Sequence, residues 1–105
     1  MRITGKNIPN MPWQERPQDC RDVLWRYSAN PILTRHAVDF CHTISNSAAV
    51  PFGGGFAGVF RCDTNECRSE LHTGFSEDGI HWNIEQAPVN FTAVGSVPSS
   101  CQGYD

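Results

Sequence analysis

The stretch Ser45–Trp82, SNSAAVPFGGGFAGVFRCDTNECRSELHTGFSEDGIHW, decides the fold. Three breaks divide it. Pro51 with Gly53-Gly54-Gly55, then Asp63-Thr64-Asn65, then Glu77-Asp78-Gly79 gather residues that tolerate turn geometry. The segments between them, Asn46–Val50, Phe56–Arg61, Ser69–Phe75 and Ile80–Ile84, have strand length and composition. A spacing of about ten residues per strand predicts an all-β fold, here a four-stranded antiparallel meander. In the last segment Ile80, Trp82 and Ile84 share one face, with His81 and Asn83 on the other. In the third, Leu71, Thr73 and Phe75 alternate with Glu70, His72 and Gly74. The second, FAGVF, is apolar on both faces, as expected of a strand covered on both sides. The small Ala57 and Gly58 would let a neighbouring sheet or a ligand approach closely.

Before this unit, Met1 to Asp19 carries Pro9, Pro12 and Pro17 and is predicted to run as an extended, irregular arm. Met11 and Trp13 require something to pack against, so the arm is expected to be ordered. Asp22–Tyr27, DVLWRY, is a further strand candidate, ended by Asn30-Pro31. Ile32 to Thr43 reads as a long irregular connection. After Phe91 the sequence TAVGSVPSSCQGYD is small and polar and reads as loop. The predicted organisation is a single partial domain: residues 1–44 as arm and first strand, 45–91 as the sheet, 92–105 as an irregular tail.

The 105 residues are enough for one small domain. Its charged fraction of 18 % and hydrophobic fraction of 39 % are ordinary for a soluble chain. A net charge of −3 without a basic cluster argues against a nucleic-acid partner. No apolar run has the length to span a bilayer. The N-terminal MRITGKNIPNMPW lacks the apolar core of a secretory signal, so a cytoplasmic location is expected. The five cysteines, Cys20, Cys41, Cys62, Cys67 and Cys101, are odd in number and sparse, which predicts free thiols in a reducing compartment. Cys62 and Cys67 with His72 hint at zinc. No second pair completes four ligands, and two thiols flanking a turn is the plainer reading.

Polar groups gather at two strand ends. Asn46-Ser47 opens the first strand and Arg61-Cys62-Asp63 ends the second, so a hairpin would bring Asn46, Ser47, Arg61 and Asp63 to one rim. An amide, a hydroxyl, a guanidinium and a carboxylate are the groups that hold sugar hydroxyls by paired hydrogen bonds. The structural alternative is that Asn46 caps a turn, Ser47 bonds backbone and Arg61 pairs with Asp63 at the surface. His36, His42, His72 and His81 show no metal or triad spacing and are expected to be surface or half-buried. Ser28, Ser45 and Ser47 lack a GxSxG context, and the Gly53-Gly54-Gly55 run opens no helix, so serine-nucleophile and phosphate-loop chemistry are disfavoured.

NIPNMPWQERP, VLWRYSANPI, SNSAAVPFGGGFAGVFRCD and LHTGFSEDGIHW, in this order, resemble the N-terminal part of glycoside hydrolase family 130. The resemblance runs from Asn7 to about Phe91. It implies that the sheet is the first blade of a five-bladed β-propeller with the sugar at the axis. It also implies inverting phosphorolysis of a β-1,4-mannoside to α-mannose 1-phosphate. Inorganic phosphate would be co-substrate, with no metal and no other cofactor. Some members of the family hydrolyse instead. By motif, Asn46 and Ser47 match the pair that contacts mannose in the donor subsite. Arg61 matches an arginine of that subsite, and Asp63 a supporting residue. Arg68 matches one of two neighbouring arginines, the other being Cys67 here. Gly103-Tyr104-Asp105 matches the first half of a Tyr-Asp-Pro-Arg motif, which would make Asp105 the general acid and Tyr104 its neighbour in the site. The phosphate-binding cations of the family lie beyond this stretch. The expectation is therefore an enzyme fragment that carries part of a mannoside site, is inactive alone, and is marginally stable or self-associating because its blade faces are uncovered. A non-catalytic carbohydrate- or partner-binding β module is the alternative.

Overall fold

The computed structural model describes residues 11, 12 and 14–90. Four strands follow one another: β1 (Thr43–Phe52), β2 (Gly55–Asp63), β3 (Ser69–Ser76) and β4 (Asn83–Pro88). They form one sheet in the order β1-β2-β3-β4, every pair antiparallel. Among the described residues there is no helix. The predicted meander is present.

The β1–β2 hairpin closes on Phe52 paired with Gly55. Gly53 and Gly54 between them have φ of 58° and 83°. Two successive positive φ angles give the turn whose twist matches the flanking strands, and glycine adopts them without a Cβ penalty.

Alternation along β2 sends Phe56, Gly58, Phe60 and Cys62 to the buried face. Across the ladder these residues pair with Ser76, Gly74, His72 and Glu70. The core on this face joins Phe60, Cys62 and Ile84 to Cys41, with Leu33, Val38, Phe40, Ile44 and Trp82 packed around them. The connection before β1 thus covers one side of the sheet. The opposite face is open: Val59 lies exposed beside Phe52 and Phe75. Burial of FAGVF on both faces is therefore not what this chain shows. What closes on Gly58 is the chain's own Trp82 and Phe60, not a second sheet.

Three sequence expectations are corrected. β1 begins at Thr43, not Asn46, because Thr43, Ile44 and Ser45 pair with Asp63, Cys62 and Arg61. β4 begins at Asn83, not Ile80. Asp78 Oδ1 accepts the backbone N–H groups of Ile80 and His81, each at 2.8 Å, and holds both in the turn. Trp82 Nε1 donates to the Gly79 carbonyl at 3.1 Å, keeping the indole over that turn. Finally, Asp22–Tyr27 forms no strand. Its Val23 is 97 % exposed, and among the described residues no neighbouring strand offers it a ladder.

Where it is described, the arm is tied down, as expected; its residues 1–10 lie outside the described residues. The Gln14 side chain clasps Ser28 twice, its Nε2 donating to Ser28 Oγ and its Oε1 accepting from Ser28 N, both at 2.9 Å. Met11 rests on Gly79, where a Cβ would come within 2.9 Å of Met11 Cε. Trp13 and the tail 91–105 lie outside the described residues.

His72 is fully buried, unlike the surface or half-buried imidazole expected. Its Nδ1 donates to the Glu85 carbonyl at 2.9 Å, which fixes the tautomer, since a carbonyl can only accept. The ladder between β3 and β4 is irregular between His72 and Gly74, and this imidazole supplies a cross-strand bond there.

Candidate functional site

Period-two alternation places Arg61 and Asp63 on the same face of β2, the one turned away from the core. The register then sets Ser69 of β3 directly opposite Asp63. The three side chains close on one another. Arg61 Nε donates to Asp63 Oδ1 at 3.2 Å and Arg61 Nη2 donates to Ser69 Oγ at 3.1 Å. Ser69 Oγ in turn donates to the same Asp63 Oδ1 at 2.6 Å. The hydrogen bond from Ser69 holds the Asp63 carboxyl below the usual carboxylate range, with the Arg61 charge acting in the same sense. The guanidinium and carboxylate are both partly open to solvent. Asp63 and Ser69 engage the Nε–Nη2 edge of the guanidinium. Its remaining N–H groups have no partner among the described residues, in a side chain that carries five.

Asn46 and Ser47 sit next to this cluster in a β-bulge. Ser45 pairs with Arg61 and Ala48 with Val59, so two residues of β1 stand opposite Phe60 alone. Asn46 has φ of 43°, a left-handed conformation that asparagine tolerates better than most residues. The Ser47 hydroxyl donates to the Ser45 carbonyl at 3.5 Å. Ser47 also lines a groove of about 610 Å³ with Arg26, Leu33, Phe60 and Trp82. No hydrogen bond joins Asn46 or Ser47 to Arg61 or Asp63 among the described residues. The four groups are neighbours in the ladder, but the structure closes only Arg61 and Asp63 into one cluster.

Arg68 stands in the β2–β3 turn. Its N–H donates to Thr64 Oγ1 at 3.3 Å and its carbonyl accepts from Thr64 N at 2.8 Å, which leaves the side chain exposed. Tyr104 and Asp105 lie outside the described residues. Ser69, which completes the cluster, was not singled out from the sequence. The usable signal was its place as the first residue of the predicted strand after the Asp63-Thr64-Asn65 break, where a hairpin returns it to Asp63.

Cys62 and Cys67 do not share a site. Cys62 is buried in the core and Cys67 is exposed in the turn with φ of 59°. Burial pushes the Cys62 thiol up to about 12, and its hydrogen bond with Cys41 adds to the effect. Cys20, Cys41, Cys62 and Cys67 are free thiols. Among the described residues no three His, Cys, Asp or Glu side chains are placed to hold a metal ion. No helix there is long and apolar enough to cross a membrane.

A groove of about 1020 Å³ opens at the far end of the sheet, between the Gly53-Gly54 turn and the β3–β4 turn. It contains none of Asn46, Ser47, Arg61 or Asp63. At its edge Asp78 Oδ2 lies 2.7 Å from His81 Nδ1. The backbone N–H of His81 contributes most to holding the Asp78 carboxyl below its ordinary range, followed by the imidazole. Asp78 is thus committed to shaping the turn, and the convergent polar chemistry lies with Arg61.

Two comparisons bear on this arrangement. No family model matches the chain. It is 53 % identical over 93 residues to a β-1,4-mannooligosaccharide phosphorylase of Ruminococcus albus, a match that takes in 85 % of this chain and 28 % of that protein. The chain is related to mannooligosaccharide phosphorylases. It spans little more than a quarter of that relative's length.

Proposed function

We propose that this chain supplies part of the donor mannose subsite of a β-1,4-mannoside phosphorylase of glycoside hydrolase family 130. The observation that carries the reading is the 53 % identity to a β-1,4-mannooligosaccharide phosphorylase. The match takes in most of the chain, and the roles given to Asn46, Ser47 and Arg61 rest on the resemblance of their motifs to those of the family. In this reading the sheet is one blade of a propeller. Its open face, with Phe52, Val59 and Phe75, is the side on which a neighbouring blade packs.

The roles follow from the chemistry each group offers. Arg61, its charge balanced by Asp63, presents N–H donors to the hydroxyls of a neutral sugar. Asn46 and Ser47, exposed on the bulge, add an amide and a hydroxyl. Arg68, exposed in the β2–β3 turn, is a further substrate-binding group. Asp105, with Tyr104 beside it, is the general acid. In the complete reaction inorganic phosphate attacks the anomeric carbon from the face opposite the leaving group. The C1–O bond to the departing sugar breaks as the C1–O bond to phosphate forms, with inversion to α-mannose 1-phosphate. The acid's proton reaches the departing oxygen by way of the mannose O3 hydroxyl. Phosphate neutralisation and in-line placement call for a cationic clamp, which this reading assigns to parts of the enzyme other than the present chain.

Calorimetric titration with β-1,4-mannobiose tests the subsite. The expected result is millimolar-or-tighter binding that Arg61→Ala weakens by at least about tenfold. Binding unaffected by Arg61→Ala, or none at all, would remove the reading. The same samples incubated with phosphate are expected to yield no mannose 1-phosphate.

A further inference from the structure

We infer that Ser69 is a positioning residue: its hydroxyl, set between Asp63 and Arg61, fixes which edge of the guanidinium is offered to a sugar. This rests on the reading of Arg61 as a sugar contact.

An arginine side chain has many rotamers, and a binding arginine held in one of them loses less freedom when the ligand arrives. Asp63 alone makes a single hydrogen bond to Arg61, through Nε at 3.2 Å. One bond leaves the guanidinium plane free to turn about it. The second bond, from Nη2 to Ser69 Oγ at 3.1 Å, removes that freedom by fixing two nitrogens of one rigid plane. Ser69 is suited to this because a hydroxyl accepts and donates at once. It accepts from Arg61 while donating to Asp63 Oδ1 at 2.6 Å, the shortest bond of the three. The carboxylate therefore orients the hydroxyl, and the hydroxyl orients the guanidinium. Ser69 opens β3 opposite the end of β2, so the ladder fixes its Cα before any side chain is placed.

The cluster has a consequence for the ligand. Arg61 and Asp63 cancel in charge, and three of the guanidinium's five N–H groups stay unengaged among the described residues, two of them directed off its tip. That combination suits the vicinal hydroxyls of an uncharged pyranose and gives a phosphate dianion little net attraction.

The test uses the whole chain, labelled with nitrogen-15, and follows the Arg61 Nε–H signal. Four proteins are compared: wild type, Ser69→Ala, Ser69→Thr and Ser69→Val. Threonine keeps the hydroxyl. Valine matches threonine in shape and lacks it, so this pair decides the matter even if the alanine variant folds poorly. In wild type and Ser69→Thr the Nε–H is expected to exchange slowly with water. In Ser69→Ala and Ser69→Val exchange is expected to quicken by about tenfold or more, with backbone amide spectra and Tm little changed. Mannobiose affinity should fall about tenfold with the hydroxyl and return in Ser69→Thr, while inorganic phosphate should shift no signal of the cluster. Equal Nε–H exchange in Ser69→Thr and Ser69→Val would overturn the assignment. If wild type ignores mannobiose, Arg61 is no sugar contact, and the Thr–Val comparison still decides the role of Ser69: a difference supports the positioning, equality ends it.

Discussion

Gly58 of β2 and Gly74 of β3 lie directly opposite each other, and the ring of Phe60 rests against both. A Cβ at Gly58 would stand 2.9 Å from Phe60 Cε2 and 2.9 Å from Trp82 Cζ3. At Gly74 it would stand 2.7 Å from Phe60 Cε2. The missing side chains are the space in which Phe60 and Trp82 meet edge to face, at 5.1 Å between centroids. Gly74→Ala forces a buried aromatic ring to move and is expected to cost ~1–3 kcal/mol. Thermal melting read by near-ultraviolet circular dichroism should show the loss. An unchanged Tm would mean that Phe60 is not confined as described.

The β1–β2 turn makes a different demand, on backbone and not on space. Nothing lies within 4 Å of a Cβ at Gly53, yet its φ is 58°. Gly53→Asn should be nearly neutral because asparagine tolerates the left-handed region. Gly53→Val should cost ~1–2 kcal/mol. Equal urea midpoints for the two variants would contradict this turn geometry.

Asp78 sets part of the acid response. Its carboxyl is held below the ordinary range by the N–H of His81, the imidazole and the N–H of Ile80. The folded value is depressed, so the stabilisation is present above the unfolded value of about 3.9 and is lost as pH falls through and below it. Asp78→Asn cannot titrate there. Its Tm should fall less steeply than that of wild type below about pH 4. Parallel acid limbs would show that the Asp78 bonds contribute nothing to stability.

The cysteines should separate by reactivity. Cys62 is buried, with its thiol pushed up to about 12, and Cys41 is buried beside it. Cys67 is exposed in the turn. Brief iodoacetamide treatment at neutral pH is expected to label Cys67 and to reach Cys41 and Cys62 only after denaturant is added. Peptide mapping that finds Cys62 labelled in the native chain would refute the packing of the connection over β2.

The open face should make the chain self-associate. Phe52 and Phe75 are 63 % and 46 % exposed, with ring centroids 6.4 Å apart, and Val59 lies nearby. Sedimentation velocity is expected to show mass rising with concentration, and the double variant Phe52→Ser with Phe75→Thr to suppress the rise. A monomer at every concentration would count against the face as a packing surface.

The turns were the most legible part of the sequence: Gly53-Gly54 and Gly79 take a left-handed backbone that few other residues adopt, while Asp63-Thr64-Asn65 marked its break by composition, the left-handed residue there being Cys67. β2 and β3 came within two residues of their observed ends for the same reason. β4 was displaced because the alternation of Ile80, Trp82 and Ile84 looks extended, whereas Asp78 accepts two backbone N–H groups and keeps residues 80 and 81 turned. Asp22–Tyr27 failed as a strand because alternation says nothing about whether a partner exists. In the site, Arg61 and Asp63 were readable as neighbours two apart on one strand. Ser69 was hidden because its contact with Arg61 depends on a hairpin register that composition does not specify.

The extra residue at Asn46-Ser47 has a topological meaning. Ser45 and Ala48 face the same side of the sheet although three positions separate them, an odd step where alternation requires an even one. Excising Asn46 alone would restore even parity, leaving Ile44 inward and Ala48 outward as they are now. Removing Ala49 instead would invert one end of β1 against the other. The chain therefore carries a point where losing a single residue would keep the alternation on both sides in phase, and that point coincides with the residues proposed to touch the sugar.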